Sequence, residues 1–507
     1  MPALSLAIGL ERISRIVGYV IKKGDFSTTS PNLPVRIAIL AEANEANQST
    51  LDVSVGEEVT SAQEAGDLYG FGSPAHGIMR ILRSVNGGGI GGIPTVVYPQ
   101  AKASGAAAKV ITITPSGFSR GNGTHLIKIA GRDGLDGQSY AINVEYNDTV
   151  ADLTAKIEDA INGVLGSPVS ATSTDYVVTL TSKWKGLTAN DIQVEVDTND
   201  NAFQLSYAVA TTQAGSGTPD IAASLELFGN AWNTIVVNSY GMVSSIMDAL
   251  ESFNGIPDPV SPTGRYLGSV FKPFIAITGS VADDVSAVTD LRLNNLTIAI
   301  APAPLSKGLP YEAAANMTRL FANVCQQTPN LDVAGQSYPD MPTPTSIGSM
   351  ADYENRDAFV KKGLSTVSLV SGVYQVEDFV TTYHKLGELP PQFRYCRNLN
   401  IDWNVRYGYF LLELVNVVDH SISNNDDVVN AASVVKPKQW IGILNAYADD
   451  LADRALIADA SFMQTSLTVQ ISDTNPDRFE TFFRYKRTGF VRQAATTAEA
   501  GFNFGSN

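Results

Sequence analysis

The chain has 507 residues, with 35 Lys plus Arg against 51 Asp plus Glu, a formal net charge of −16. At roughly 150 residues per domain the length suggests about three domains with cores of their own, and the surplus negative charge repels phosphate backbones and anionic lipid, which argues against nucleic acid or membrane as the main partner. Hydrophobic residues at 44%, charged residues at 17%, 42 Gly and 24 Pro describe a globular, loop-rich chain and exclude a disordered or coiled-coil composition.

Taken from the start, Met1 to Leu10 has no basic residue ahead of its apolar stretch and Glu11 follows it, so it does not read as a signal peptide. No run of about 18 apolar residues occurs, and synthesis and assembly in a cytoplasm are expected. Ile13 to Lys23 has strand character, and Gly24 to Pro34 is a polar linker behind it. Val35 to Leu40 reads as a buried strand, and a helix follows around Ile78, Met79, Ile81, Leu82 and Val85. Pro94 to Tyr98 is strand-like.

Ala101 to Ala108 opens a segment of short alternating strands at 110–113, 126–129, 176–180 and 192–196, interrupted by a helix with Val150, Leu153, Ile157 and Ile161 on one face and Thr149 and Asp152 in capping positions. It closes at Gln213 to Pro219, the most linker-like composition in the chain. Flexible joints at both ends predict a separately folding inserted α+β domain. Beyond it, helical patterns at 221–227 and 243–253 alternate with strands at 234–237, 273–277 and 297–301, which argues for α/β layering around the same sheet as 35–40. After the Pro-rich stretch 329–344 come strands at 367–369 and 373–376. Pro437 opens a helix to about Ala458 with Trp440, Leu444, Tyr447, Ala448, Leu451 and Ala455 on its apolar face. Leu467, Val469 and Ile471 alternate, Phe482 to Val491 alternates aromatic with basic residues and predicts a strand, and Glu499 to Phe504 is a last strand-like piece.

Catalytic chemistry is sparse. His76, His125, His384 and His420 are scattered, with no partner at metal-ligand spacing. Cys325 and Cys396 cannot build a disulfide framework and fit a reducing compartment. Gly87 to Gly92 contains G-x-G-x-x-G, but a helix precedes it and a strand follows, the reverse of a phosphate-binding context, so it reads as a helix stop. The acidic pairs Asp283-Asp284, Asp426-Asp427 and Asp449-Asp450 read as solvated faces. No catalytic residue, metal site or cofactor is expected. Strand-like pieces at both termini, each behind a spacer, are exposed edges in a monomer and are better explained if another subunit completes them.

The run Gly372-Val-Tyr-Gln-Val-Glu-Asp-Phe-Val-Thr-Thr-Tyr383, preceded by Lys362-Gly-Leu-Ser-Thr366, resembles a segment of bacteriophage contractile-tail sheath proteins of the Mu-like branch. Phe71-Gly-Ser-Pro74, Gly215-Ser-Gly-Thr-Pro-Asp220 and Asn475-Pro-Asp-Arg-Phe479 resemble other signatures of that family in the same order. Two stretches depart from it: Thr328-Pro-Asn-Leu-Asp332 stands where the family usually has an Asp-Pro-x-x-Pro-like stretch after the Ala-rich helix at Ala313-Ala-Ala315, and Cys396 to Val429 fits its pattern poorly.

The resemblance implies a structural subunit that polymerises as hexameric rings around a tail tube and contracts to drive the tube through the bacterial envelope during genome delivery. A non-contractile phage assembly protein is the alternative, and a hydrolase using the acidic loops a distant third. The fold expected is an α/β core (35–104 plus 218–345), an inserted outer α+β domain (105–217), and a C-terminal α+β domain (346–493) facing the tube and completed by strand exchange. Arms at 1–34 and 494–507 flank these. Strand exchange is expected of Ile16, Val17, Tyr19, Val20, Ile21, Phe483, Tyr485, Phe490, Phe502 and Phe504. Tube or neighbour contacts are expected of Asp449, Asp450, Asp453, Arg484, Lys486 and Arg487. The implied partners are copies of the chain, a tail tube protein, and baseplate and tail terminator proteins, with no direct nucleic acid and no membrane insertion; the implied location is the virion tail, assembled in the bacterial host cytoplasm.

Overall fold

The computed structural model describes residues 31–85, 87–344, 350–387, 392–429, 431 and 433–501. It is a mixed α/β multidomain structure whose contacts divide the chain into two compact bodies. Residues 32–407 with the segment from 487 onward make one, and residues 408–486 the other.

The larger body is built on a six-stranded sheet in the order 298–302, 275–280, 235–238, 37–42, 95–100, 57–58. All neighbouring pairs are parallel except the last, where Glu57 and Glu58 run antiparallel to 95–100. Continuous apolar runs such as Ile-Ala-Ile-Leu suit strands covered on both faces, and every residue of strands 37–42 and 275–280 is buried. Ile37 and Ile39 pack with Ile78, Met79 and Met317 of helices Pro74–Leu82 and Pro310–Gln327. Ala38 and Leu40 point the other way, toward Phe228, Met247 and Leu250. Gly279 permits the closest approach: a Cβ there would lie 1.7 Å from the carbonyl oxygen of Pro310, so the first turn of the 310–327 helix rests directly on the strand.

The insert holds two larger antiparallel sheets, in the orders 206–213, 110–116, 177–182, 169–174 and 194–197, 123–129, 141–144, and a short two-stranded one, 134–135 with 138–139. The capping box between Thr149 and Asp152 starts helix Val150–Asn162, which buries Leu153, Ile157 and Ile161. Two expectations change here. The insert's core is not self-contained, because Ile111, Ile127 and Leu153 belong to one continuous apolar cluster with Ile37 and Ile78. The joints are tied rather than free: Ala107 and Ser216 bridge, the Gly186 N–H donates to the Ala107 carbonyl at 3.1 Å, and the Leu187 N–H donates to the Gly217 carbonyl at 2.9 Å. The small residues read as flexibility serve close packing instead, since a Cβ on Gly215 would lie 2.4 Å from the Gly186 carbonyl oxygen.

Residues beyond the Pro-rich stretch stay with this body. Hairpin Thr366–Val370 and Val373–Asp378 is followed by Thr382, whose N–H donates to the carbonyl of Ile298 on the sheet's edge strand at 2.8 Å. The compact bodies therefore divide the chain elsewhere than at the expected 345/346 boundary. Helix Cys396–Asn416, in the stretch that fitted the family pattern poorly, was not expected from the sequence.

In the smaller body, helix Pro437–Asp453 buries Trp440, Leu444, Tyr447, Ala448 and Leu451 as its spacing predicts. It stops before Ala458 because Ala455 adopts a left-handed conformation, φ 53°. Helix Ala460–Ser466 leads into an antiparallel hairpin, Thr468–Ile471 with Phe479–Phe482, in register Thr468 to Phe482 and Ile471 to Phe479. The strand expected over 482–491 is thus displaced, and residues 483–486 lie outside any strand. Pro476 and Asp477 sit in the hairpin's turn, which fixes the returning strand at 479.

Candidate functional site

Among the described residues, no group of three His, Cys, Asp or Glu is placed to hold a metal. The Gly87 to Gly92 loop follows helix Pro74–Leu82 and precedes strand Thr95–Gln100, so its glycines end a helix rather than begin one at a phosphate. His76 is buried, accepts the Gly72 N–H at 3.2 Å, and has its imidazole pulled down to about 4 chiefly by burial, so it serves packing as a neutral ring.

The surfaces suited to assembly are strand edges and the charged groups beside them. Hairpin 468–471/479–482 is a two-stranded sheet, so among the described residues both of its outer edges carry backbone groups with no ladder partner. Its strands are half-buried at most, and residues 468–471 alternate between exposed and half-buried. Gln470 donates to Glu480 at 3.2 Å across the ladder, which pins the register.

The basic run that follows is engaged within the chain. Lys486 pairs with Asp459 at 3.0 Å and lies over the Phe462 ring. Arg487 grips both carboxylate oxygens of Asp402, at 2.6 and 2.5 Å. Arg492 bridges Asp332 and Asp378, the latter at 2.8 Å, and stacks over Tyr395 at 3.7 Å. Arg484 is exposed and lies over the Phe482 ring. Phe483 and Tyr485 neighbour each other at 6.4 Å, with Phe483 5.6 Å from Tyr409. Phe490 receives the Arg397 guanidinium at 5.7 Å.

The acidic face of helix 437–453 is smaller than its sequence suggests. Asp449 and Asp453 are exposed, and Asp449 accepts from Gln464 at 2.8 Å. Asp450 instead turns inward, its side chain 8% exposed, and pairs with Arg454 one turn on at 3.2 Å. Helix spacing places 449 and 453 on one stripe and 450 about 100° away, so the three acids do not share a face. Ile16, Val17, Tyr19, Val20, Ile21, Phe502 and Phe504 lie outside the described residues.

A buried charge cluster that no sequence spacing announces docks the insert. Arg132 donates to Glu312 at 2.7 and 2.8 Å and to Asp340 at 3.2 Å, and Arg80 pairs with Asp340 at 2.7 Å. The Glu312 side chain is 5% exposed and also accepts the Leu309 N–H at 2.9 Å, capping its own helix. Burial alone would raise Asp340, but Arg132 and Arg80 outweigh it and hold the carboxyl below its ordinary value.

No family model matches the chain. Over 433 residues it is 22% identical to the Mu-like prophage FluMu tail sheath protein of Haemophilus influenzae, covering 83% of this chain and 84% of that protein. The chain is similar to the Mu-like tail sheath proteins. Two solved sheath tail proteins align along most of it: that of Desulfitobacterium hafniense, 12% identical, over 93% of this chain and 100% of its own with a TM-score of 0.46, and that of Listeria innocua, 12% identical, over 91% and 94% with a TM-score of 0.44. The sheath resemblance seen in the motifs around Thr381-Thr382-Tyr383 thus extends over most of the sequence.

Proposed function

We propose that the chain is a structural subunit of a contractile phage tail sheath, polymerising as hexameric rings around a tail tube and contracting to drive the tube through a bacterial envelope. The observation that carries this reading is the likeness to a tail sheath protein along 83% of the chain. The work is then conformational, with two packings of one subunit as its states. Its partners are copies of itself, a tube protein, and baseplate and terminator proteins, and its place is the virion tail after assembly in the host cytoplasm. Asp449 and Asp453 are the acidic residues of helix 437–453 offered to a partner, the insert faces outward, and the chemistry involves no cofactor.

Neighbours are held by donated strands, and the open edges of hairpin 468–471/479–482 support that role. The arms containing Ile16 to Ile21 and Phe502 and Phe504 are the donors. Each donated strand adds several backbone hydrogen bonds worth about 1 kcal/mol net apiece, small singly and repeated at every subunit. Deleting the first 23 residues, or separately Ala498 to Asn507, is expected to give soluble subunits with near-native circular dichroism that form no cylinders. Normal cylinders from either truncation would place the lattice connection elsewhere.

A further inference from the structure

In open parallel sheets a crevice forms at the carboxyl ends of two neighbouring strands whose following segments leave toward opposite faces. Strands 37–42 and 235–238 are such a pair here, since the first leads to helix 74–82 on one face and the second to helix 244–254 on the other. Glu42 ends the first strand, in register with Gln100 of the strand on its other side. Leu40 is in register with Asn238, which brings Tyr240 to the level of Glu42. The insert closes this place: a Cβ on Gly186 would lie 3.2 and 3.3 Å from the two carboxyl oxygens of Glu42. Glu42 is 2% exposed and Tyr240 3%, and among the described residues neither Oε2 of Glu42 nor the Tyr240 hydroxyl has a hydrogen-bond partner.

We propose that Glu42 is a charge-sensitive latch on the joint of the insert: as a neutral acid it lets the Gly186 turn close over the sheet, and as a carboxylate it favours an opened, hydrated joint. Among the described residues no cation pairs with it. Lys102 and Lys185 are engaged by Glu45, and Lys183 donates to the carbonyls of Phe71 and Leu165. Tyr240 faces it from the neighbouring strand end, and burial together with the Glu42 charge keeps that phenol protonated. Burial pushes the Glu42 carboxyl up to about 8, so the closed joint binds a proton that an opened, solvated one releases. Opening therefore grows with pH above the ordinary carboxylate range and levels off above about 8. Two other groups near the joint titrate differently. Burial pulls Lys183 down to about 8, which favours opening as pH falls, the opposite sense. Burial raises Asp191 to about 6 against the pull of Lys109, so its effect is complete at lower pH.

Hydrogen exchange of the full-length chain reads the joint directly, because the amides of Ala107, Gly186, Leu187 and Ser216 all close hydrogen bonds across it. After correction for intrinsic exchange, their opening is expected to rise more than tenfold, on the order of 15-fold, between pH 6.5 and 8, with the amides of helix 150–162 unchanged. Glu42→Gln should flatten that rise, while Asp191→Asn and Lys183→Arg should keep it. A flat wild-type profile, or the same rise in Glu42→Gln, would overturn the latch.

Discussion

Arg132→Ala is expected to cost the larger body about 3–5 kcal/mol, because it strips the cation from a carboxylate that is 5% exposed and leaves Arg80 alone to face Glu312 and Asp340. Urea denaturation followed at the two-state level reads this as a lower midpoint with the slope unchanged. The double variant Arg132→Met with Glu312→Gln restores one cation to one anion and should regain most of the loss, since replacing a buried pair is far cheaper than breaking it. Acid should act on the wild type in the same place: the depressed Asp340 carboxyl contributes stability above the ordinary carboxylate range that is lost as pH falls through its folded value. A loss under 1 kcal/mol, or no recovery in the double variant, would mean that this charge cluster does not hold the insert. The cluster also qualifies any excision of residues 105–217, which removes Arg132 and leaves Glu312 exposed to the same imbalance, so a deletion variant should carry Glu312→Gln.

Arg492→Ala is expected to loosen the chain around residue 492 and to cost about 3 kcal/mol, with a pH signature that separates charge from packing. Arg492 joins Asp332, whose side chain is 2% exposed, to Asp378. Burial first, and the charge of Asp332 with it, already push the Asp378 carboxyl up against the pull of Arg492. Without the arginine that downward pull is gone, and the Asp378 carboxyl binds its proton still more tightly in the folded chain than in the unfolded one. Stability of the variant should then fall as pH rises from about 5 to 8, while the wild type changes much less. An equal loss at both pH values would assign the effect to the lost stacking on Tyr395, 3.7 Å from the guanidinium.

Period and punctuation made most of the larger body legible. Ile37 to Leu40 is apolar throughout and reads as a strand covered on both faces, and the 3.6-residue spacing of Leu153, Ile157 and Ile161 behind a capping box fixes its helix. What misled was composition. Gly215 and Gly217 read as flexible, yet they let neighbouring chain segments approach each other closely. The alternation of aromatic and basic residues in 482–491 read as an edge strand, but Lys486, Arg487 and Arg492 each reach an acid in their own chain. Pairings such as Arg132 with Glu312, 180 residues apart, leave no local signal, because neither residue type is out of place in its own segment. The surfaces proposed for assembly were legible only as short strand-like segments with no partner in their own arm, because on the proposed reading other subunits complete them.

Negative-stain microscopy of the purified full-length chain tests the central claim most directly. The account predicts hollow, transversely striated cylinders of uniform diameter formed by the chain on its own or on co-expressed tube. Discrete monomers, unchanged at high protein concentration and in the presence of the tube, would contradict it.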